Sequence, residues 1–259
     1  MPLNPIYATH HLITSAKRTS SRSLTLTLPI IAPWRRRWTL GALTCAFGLS
    51  FYLFTNHSSS LLLTPQYLPL TLVDQKIPYL PESVWVYISL FVFVPLSFWL
   101  HRCTISINRF LYGYLTLFLV SCMIFYFFPV TYPRHLFPDI PPLNRHPSGF
   151  NPFLSILELM TQFLVNTLRT VDTPRNCTPS LHVSTAFLIA LGFLEDQKRY
   201  FPLFLTWAIL LSVSTLTMKQ HYLWDVASGF ILGVFTYLVF HRVLYYRFPT
   251  GEKVTKKIS

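Results

Sequence analysis

Long apolar stretches separated by short polar segments dominate this chain of 259 residues. Most stretches approach the length of about 20 residues that a helix needs to cross the hydrocarbon core of a membrane. They predict six membrane-spanning helices, near residues 38–55, 83–100, 109–130, 181–195, 201–218 and 224–245. The first and fourth stretches are short, so neighbouring polar turns must complete these two spans.

Residues 151–170 have a different pattern. Apolar side chains recur there at helical spacing, and Ser155, Glu158 and Thr161 interrupt them. This pattern is typical of an amphipathic helix that lies at the membrane interface or packs across the bundle. The predicted fold class is therefore all-α: a polytopic bundle of six transmembrane helices with an interfacial amphipathic helix.

Composition agrees with a membrane protein and excludes several other classes. Charged residues make up 12% of the chain, whereas soluble domains average about 25%. The net charge of +12 arises from Lys and Arg between the apolar stretches, so it does not indicate nucleic acid as a partner. The four cysteines show no paired spacing, so neither a disulfide framework nor a metal site is predicted, and no cofactor is expected.

The distribution of basic residues predicts the orientation. If both termini lie inside, fifteen of the 21 Lys and Arg residues fall on the inner side, as the positive-inside rule requires. We expect residues 38–247 to form the membrane catalytic domain and residues 248–259 to form a basic tail. Residues 1–37 are predicted to be a disordered basic tail or an organellar transit peptide. The inner membrane of a bacterium is the favoured location, and the oligomeric state stays open.

Three polar clusters are expected to meet at the outer face of this bundle, toward periplasm, lumen or exterior. They are "FPVTYPRHLFP" after the third span, "RNCTPSLHVS" at the start of the fourth, and "STLTMKQHYLWD" between the fifth and sixth. Their candidate site residues are Arg134, Arg175, Ser180, His182, Lys219, His221 and Asp225. Two histidines, one carboxylate and several cations together predict a phosphate site with its own nucleophile and acid.

The spacing of His221 and Asp225 supports this interpretation. Residues four apart share one face of a helix and can touch. A carboxylate bound to one imidazole nitrogen fixes the tautomer and leaves the other nitrogen free to attack. Because an acidic side chain within a span is energetically unfavourable, a paired functional role for Asp225 is favoured.

These motifs resemble the type-2 phosphatidic acid phosphatase and vanadium haloperoxidase superfamily over roughly residues 125–235. "PSLHVS" is similar to the second motif of that family, whose usual core is Pro-Ser-Gly-His, and "STLTMKQHYLWD" is similar to the third. Leu181 replaces the usual glycine, Thr215 replaces an arginine, and Phe127 stands where a lysine is usual. With "YPR" as first motif, the pattern is most similar to the branch that contains inositol phosphorylceramide synthases.

The resemblance implies an activity and a role for each residue. His221 would attack phosphorus to form a phosphohistidine, Asp225 would orient it, and His182 would act as acid and then base. The phosphate would be bound by Arg134, Ser180, Lys219 and Arg175. The implied substrate is a phospholipid or a lipid pyrophosphate in the membrane, with no metal required.

Several alternatives stay open on the sequence. The enzyme could hydrolyse its substrate or transfer a phospho-headgroup, like an inositolphosphotransferase. A membrane scaffold or lipid carrier that keeps the fold without activity is the non-enzymatic reading, and a vanadate-dependent oxidase is disfavoured by the spans. Ser180 could also be a helix N-cap, Arg134 an interface anchor, and Lys219 a side chain that extends away from the site.

Overall fold

The computed structural model describes residues 27–31, 37–136, 152–172 and 175–247, and this part of the chain is mostly helical. Its α-helices are α1 (Arg37–Leu62), α2 (Leu72–Lys76), α3 (Val84–Ile88), α4 (Leu90–Leu100), α5 (Thr104–Phe127), α6 (Pro152–Val171), α7 (Leu181–Gly192), α8 (Phe201–Thr217) and α9 (Leu223–Tyr237). A π-helical segment, Leu238–Val243, continues α9. Single 3-10 turns lie at Pro81–Ser83, Arg134–Leu136 and Lys198–Tyr200.

Four short strands form two parallel pairs. They are β1 (Thr27–Pro29), β2 (Gln66–Tyr67), β3 (Val130–Thr131) and β4 (Tyr245–Arg247), with β1 beside β4 and β2 beside β3. Strand β1 belongs to the segment that the sequence assigns to a disordered tail, so residues 27–29 are paired instead. The rest of that segment before residue 27, and the predicted C-terminal tail at 248–259, lie outside the described residues.

Five segments of the described part of the chain are long and apolar enough to cross a membrane, which makes this an integral membrane protein. They are Trp38–Ser58, Pro81–Leu100, Thr104–Phe127, Lys198–Thr217 and Leu223–Val243. The fourth predicted span corresponds to α7, which has only 12 residues. The described residues therefore give five spans of full length where the sequence predicts six.

Helix α7 lies at the centre of the bundle, against α5, α8 and α9. The side chains of Val183, Ala186 and Ile189 are fully buried by these neighbours. Because α7 is enclosed by other helices, protein groups rather than lipid surround its polar ends. Polar backbone at membrane depth needs such partners, since lipid offers none.

Two glycines allow α9 to approach the start of α7. A Cβ atom on Gly229 would lie 2.6 Å from the Ser180 carbonyl oxygen, and one on Gly233 would lie 2.6 Å from the Ser184 carbonyl oxygen. Glycine is therefore required at both positions for this backbone contact. The contact also places Ser180 N 3.1 Å from the carbonyl oxygen of Asp225, which joins the second and third motifs.

Charged groups join the helices at the opposite end of α7. Glu195 forms ion pairs with Arg109 and Arg242, the latter at 3.5 Å. Asp196 Oδ2 lies 3.3 Å from His101 Nδ1 and accepts two backbone N–H groups just before α5. These contacts hold the ends of α4, α5, α7 and α9 together, far along α7 from the two motifs.

Helix α6 occurs where the sequence predicts an amphipathic helix. Its inner face packs on the segment before α4: Val165 is fully buried, and Trp85 Nε1 donates to Thr161 Oγ1 at 3.0 Å. Its other face leaves Ile156 and Phe163 more than half exposed. Apolar side chains therefore lie on both faces of α6. One face lines a cavity, and the apolar side chains of the other face are exposed on the surface.

Candidate active site

His221 and Asp225 form a buried pair at the start of α9. His221 Nδ1 lies 3.3 Å from Asp225 Oδ2, which also accepts the backbone N–H of Tyr222 at 2.8 Å. The other carboxylate oxygen accepts the hydroxyl of Thr178. These contacts direct Nδ1–H of the imidazole at the carboxylate and leave Nε2 with its lone pair, as a nucleophile requires.

His182 lies in the first turn of α7, beside this pair. Its ring stacks on that of Tyr87 with centroids 4.1 Å apart, and its centroid is 6.2 Å from that of His221. The Nε2 atom of His182 is buried and has no hydrogen-bond partner among the described residues. Two imidazoles at this separation can both reach one phosphoester group, one to attack it and one to exchange a proton.

Ser180 acts as the N-cap of α7. Its hydroxyl accepts the backbone N–H of Val183 at 3.5 Å, and its side chain is fully buried. Capping orients the first turn of α7 and therefore the His182 ring. The phosphate contact predicted for Ser180 is compatible with this position, because a helix N-terminus favours anions.

Arg134 is held at the C-terminal end of α6. Its Nη1 donates to the carbonyl oxygen of Asp172 at 2.6 Å, and its Nη2 donates to the Gln220 side chain and lies 3.7 Å from Asp172 Oδ2. Gln220 immediately precedes His221. The Nε of Arg134 is buried without a hydrogen-bond partner in the described part of the chain. The guanidinium is therefore next to the histidine pair but already shares its charge with a carboxylate.

Lys219 occupies a position different from the one expected of a phosphate ligand. Its ammonium donates to the carbonyl oxygens of Asp74 and Ile77, at 2.9 and 2.6 Å, and its side chain is buried. Burial lowers the pKa of Lys219, and the nearby Asp74 carboxylate partly offsets this effect. Lys219 also has a φ of 55°, a left-handed conformation that is uncommon for a residue other than glycine. These contacts tie the turn before His221 to the end of α2.

Arg175 is half-buried in the segment between α6 and α7. The next residue, Asn176, forms a parallel bridge with Val130 at the end of α5. Arg175 does not line the cavity that contains the two histidines. The structure thus brings His182, His221, Asp225, Ser180 and Arg134 together, whereas the ammonium of Lys219 binds two backbone carbonyl oxygens.

An apolar cavity of about 430 Å³ leads to the two histidines. Its apolar wall comes from α1, α3 to α7, with Leu49, Phe91 and Leu168 as examples. The polar residues that line it are Tyr52, Tyr87, Tyr114, Thr167, Asp172, Asn176, His182, Thr185 and His221. A cavity that is mostly apolar with a few polar groups suits a ligand with a hydrocarbon chain and one polar end.

Comparison with known proteins agrees with this site. The family model described as the PAP2 superfamily matches residues 75–239, which include both histidines and Asp225. The chain belongs to the PAP2 superfamily. Members of this superfamily are generally phosphatases or phosphotransferases. This confirms the superfamily that the motifs predict, and it leaves the branch within the superfamily as a prediction.

This PAP2 chain also matches part of a protein from an archaeon. The uncharacterized protein MJ0662 of Methanocaldococcus jannaschii is 41% identical to it over 59 residues. The matched segment covers 23% of this chain and 24% of that protein. The chain therefore spans about a quarter of the length of this relative.

Cys177 lies close enough to the His221–Asp225 pair to raise the question of a metal. Its Sγ and one ligand atom each of His221 and Asp225 lie within 4.8 Å of one another. Burial, followed by the Asp225 carboxylate, raises the pKa of the Cys177 thiol well above its ordinary value, which disfavours the thiolate that metals bind. Asp225 already accepts three hydrogen-bond donors. The donor set therefore fits a hydrogen-bonded PAP2 site better than a metal centre.

Sequence reasoning missed several polar residues of this PAP2 site. They are Tyr52, Tyr87, Asp172, Asn176, Thr178 and Gln220. Thr178 and Asn176 lie within the second motif region and Gln220 within the third, so their proximity could have been inferred from the motifs. Tyr52 and Asp172 carry no such signal, because their contact joins residues 120 positions apart.

Proposed function

We propose that this protein is a membrane enzyme that removes or transfers the phosphoryl-containing headgroup of a lipid phosphate. The observation that carries the proposal is the pairing of His182 with the His221–Asp225 dyad beside a long apolar cavity. A phosphoester bound by its lipid chain in that cavity would present its phosphorus to both imidazoles. Membership of the PAP2 superfamily supports phosphatase or phosphotransferase chemistry.

The proposed reaction has two steps through a phosphohistidine. In the first, the Nε2 lone pair of His221 forms a bond to phosphorus, the bond from phosphorus to the leaving oxygen breaks, and His182 gives that oxygen its proton. In the second, water or an alcohol attacks phosphorus and gives its proton to His182, while the P–N bond breaks. Asp225 stabilises the positive charge that develops on His221 in the first step.

The charge on the phosphoryl oxygens would be offset by nearby donors. Arg134 is the cation beside the histidines, and its buried Nε is available to a ligand. The N-terminus of α7 at Ser180 adds backbone N–H groups. We assign Lys219 the role of positioning residue, because its ammonium already binds two carbonyl oxygens. Arg175 would contact only headgroup atoms outside the cavity.

We further propose a six-span topology in which α7 is the short, enclosed fourth span. Both termini would lie inside and the histidines would face the outer side, with α6 along the outer interface and the inner membrane of a bacterium as the location. The enclosure of α7 by three helices supports this arrangement, since a 12-residue helix needs protein partners at its ends. The catalytic domain would be residues 38–247, flanked by the tails 1–37 and 248–259.

Headgroup transfer, as in the inositol phosphorylceramide synthase-like branch, is favoured over simple hydrolysis by the departures from the standard motifs. Thr215 and Phe127 replace two cations of the usual site, and the structure gives Lys219 a different use. A site with fewer cations favours transfer of the phosphoryl group to water less strongly. It also leaves space for other groups that bind the substrate. An inactive lipid carrier is the competing function, and the intact His182, His221 and Asp225 speak against it.

The test is to incubate the purified protein in detergent with labelled phosphatidic acid or phosphatidylinositol, with and without ceramide or diacylglycerol. The variants are His221→Ala and, as a matched control, His135→Ala, an exposed histidine at the same end of the molecule. We expect His221→Ala to lose product formation and His135→Ala to keep it. Phosphate release indicates a phosphatase and labelled acceptor indicates a transferase. Equal activity of His221→Ala and wild type would refute the mechanism.

A further inference from the structure

Two polar side chains of the cavity wall are left with unused hydrogen-bonding capacity. Asn176 is 5% exposed, lines the cavity, and has no partner for its amide nitrogen or its amide oxygen among the described residues. Four residues earlier, Asp172 also lines the cavity. Buried polar groups in native proteins almost always find a partner, so an unpaired side-chain amide at a cavity wall is expected to bind a ligand group or a water molecule.

The position of Asp172 is fixed by several contacts. Its Oδ1 accepts the Tyr52 hydroxyl at 2.5 Å and lies 3.4 Å from Asn56 Nδ2. Its Oδ2 lies 3.7 Å from Arg134 Nη2, which is an ion pair beyond hydrogen-bond distance. Because a carboxylate can accept about four hydrogen bonds, Oδ2 keeps acceptor capacity. The carboxylate is therefore oriented in advance for a further donor.

A phosphate group cannot satisfy these two side chains. The ionised oxygens of a phosphodiester only accept hydrogen bonds. The Asp172 carboxylate and the amide oxygen of Asn176 also only accept them, so neither can pair with a phosphate oxygen. An ammonium group would donate to both oxygens but would leave the Asn176 amide nitrogen unpaired, and Arg134 already neutralises Asp172. A hydroxyl both donates and accepts, so hydroxyl groups match the pair.

We propose that Asp172 and Asn176 form a hydroxyl-binding subsite beside the phosphoryl site. This inference rests on the proposed function, and it adds that the enzyme selects a hydroxylated ligand through these residues. The hydroxyl groups belong either to a polyol headgroup of the lipid that is cleaved or to the alcohol that accepts the phosphoryl group. Both sources present the same chemistry to the wall of the cavity.

The experiment compares wild type with Asn176→Leu and Asp172→Asn in detergent micelles. Thr170→Val is the matched control, since Thr170 is an exposed residue at the same end of α6 whose hydroxyl donates to the carbonyl oxygen of Asn166 in the same helix. In the donor arm, cleavage of phosphatidylinositol is compared with cleavage of phosphatidylmethanol, a phosphodiester without hydroxyl groups. In the acceptor arm, phosphatidylmethanol is supplied with or without ceramide, and transfer to ceramide is measured.

We expect Asn176→Leu to lower kcat/KM about tenfold or more in one arm and to keep phosphatidylmethanol hydrolysis within about twofold of wild type. Asp172→Asn also removes the charge beside Arg134, so for this variant we expect the activity in that arm, divided by the rate of phosphatidylmethanol hydrolysis, to fall about tenfold or more. Loss in the donor arm assigns the hydroxyls to the headgroup, and loss in the acceptor arm assigns them to the acceptor. The subsite is refuted if phosphatidylmethanol hydrolysis falls equally, if neither arm changes, or if phosphatidylethanolamine cleavage suffers more than phosphatidylinositol cleavage.

Failure of the proposed function has a different signature. In that case wild type and His221→Ala would both give no product from any of these lipids. Retention of labelled phosphatidylinositol relative to phosphatidylmethanol on the purified protein then decides the subsite. Preferential retention that both site variants abolish supports it, and equal retention of the two lipids refutes it.

Discussion

The substitution Asp225→Asn separates chemistry from folding at this site. The Oδ2 atom of Asp225 serves His221 and the backbone N–H of Tyr222, and Oδ1 serves the hydroxyl of Thr178. An asparagine can keep its oxygen toward the first two and donate its amide to the third, because a hydroxyl accepts as well as donates. We therefore expect the variant to fold, since every buried polar atom keeps a partner.

In the proposed mechanism, the substitution removes the negative charge that faces His221 when its other nitrogen binds phosphorus. Hydrogen bonds to charged groups contribute about 1.5–3 kcal/mol, which corresponds to a roughly 10- to 150-fold lower kcat at about 1.4 kcal/mol for each factor of ten. Since the ground state of His221 does not require that charge, the loss should appear in kcat and far less in KM.

Asp74→Asn is the matched control, because Asp74 is equally buried but does not contact a histidine. One of its carboxylate oxygens accepts Leu223 N at 2.8 Å, and the other accepts Thr71 N at 2.9 Å. An asparagine must turn its NH₂ group toward one of these N–H groups, which leaves buried donors unpaired and costs about 1–3 kcal/mol. Asp74→Asn should therefore be less stable than Asp225→Asn but far more active.

The two variants are compared by thermal denaturation in detergent and by initial rates of lipid turnover at a temperature where both are folded. The expected result is an opposite order in the two measurements. Equal kcat values for the two variants, or a wild-type kcat for Asp225→Asn, would refute the assignment of Asp225 as the group that stabilises charged His221.

Three further substitutions test the framework around the site. Gly229→Ala places a Cβ 2.6 Å from the Ser180 carbonyl oxygen, so α7 and α9 must separate; both thermal stability and turnover should fall, and wild-type values for both would contradict the close contact. Lys219→Met should lower the denaturation temperature and change KM for the lipid less than about twofold, whereas a large rise in KM would make Lys219 a phosphate ligand. For Asp196, burial raises the pKa, but hydrogen bonds from His101 and two backbone N–H groups lower it more, so the net pKa is below its ordinary value. A carboxyl with a lowered pKa stabilises the fold above its unfolded pKa of about 4 and ceases to do so as pH falls through the folded pKa. The difference in unfolding free energy between wild type and Asp196→Asn should therefore shrink in acid. A constant difference between pH 7 and pH 3 would contradict this.

The apolar stretches predict the positions of most helices correctly. Polar residues near the ends of the stretches make some predicted helix boundaries wrong. The fifth predicted span, 201–218, differs by one residue from α8 (Phe201–Thr217). The first predicted span ends at residue 55, whereas α1 continues to Leu62 through "NHSSS". Asn56 is buried near Asp172, so a polar residue that looks like the end of a helix instead contacts a distant element. Such a contact has no local signature.

The His221–Asp225 contact was predicted, but for a different reason. Their spacing suggested two residues on one face of a helix, whereas α9 begins only at Leu223 and His221 lies before it. The contact forms because Asp225, in the first turn, folds back to accept Tyr222 N and meets the imidazole there. The Asp172–Tyr52 contact was not predicted, because it depends on how α1 and α6 pack and on no motif.

The shortness of α7 explains why so many polar groups surround its ends. At about 1.5 Å per residue, its 12 residues span about 18 Å, whereas the hydrocarbon core is about 30 Å thick. In the proposed topology at least one end of α7 therefore lies below the membrane surface. At one end the carbonyl oxygen of Asp225 accepts Ser180 N, and just beyond the other end Glu195 and Asp196 bind groups of neighbouring elements. A recessed histidine pair is then reached most directly by a ligand whose hydrocarbon chain occupies the apolar cavity, which is the property that distinguishes a lipid phosphate from a soluble one.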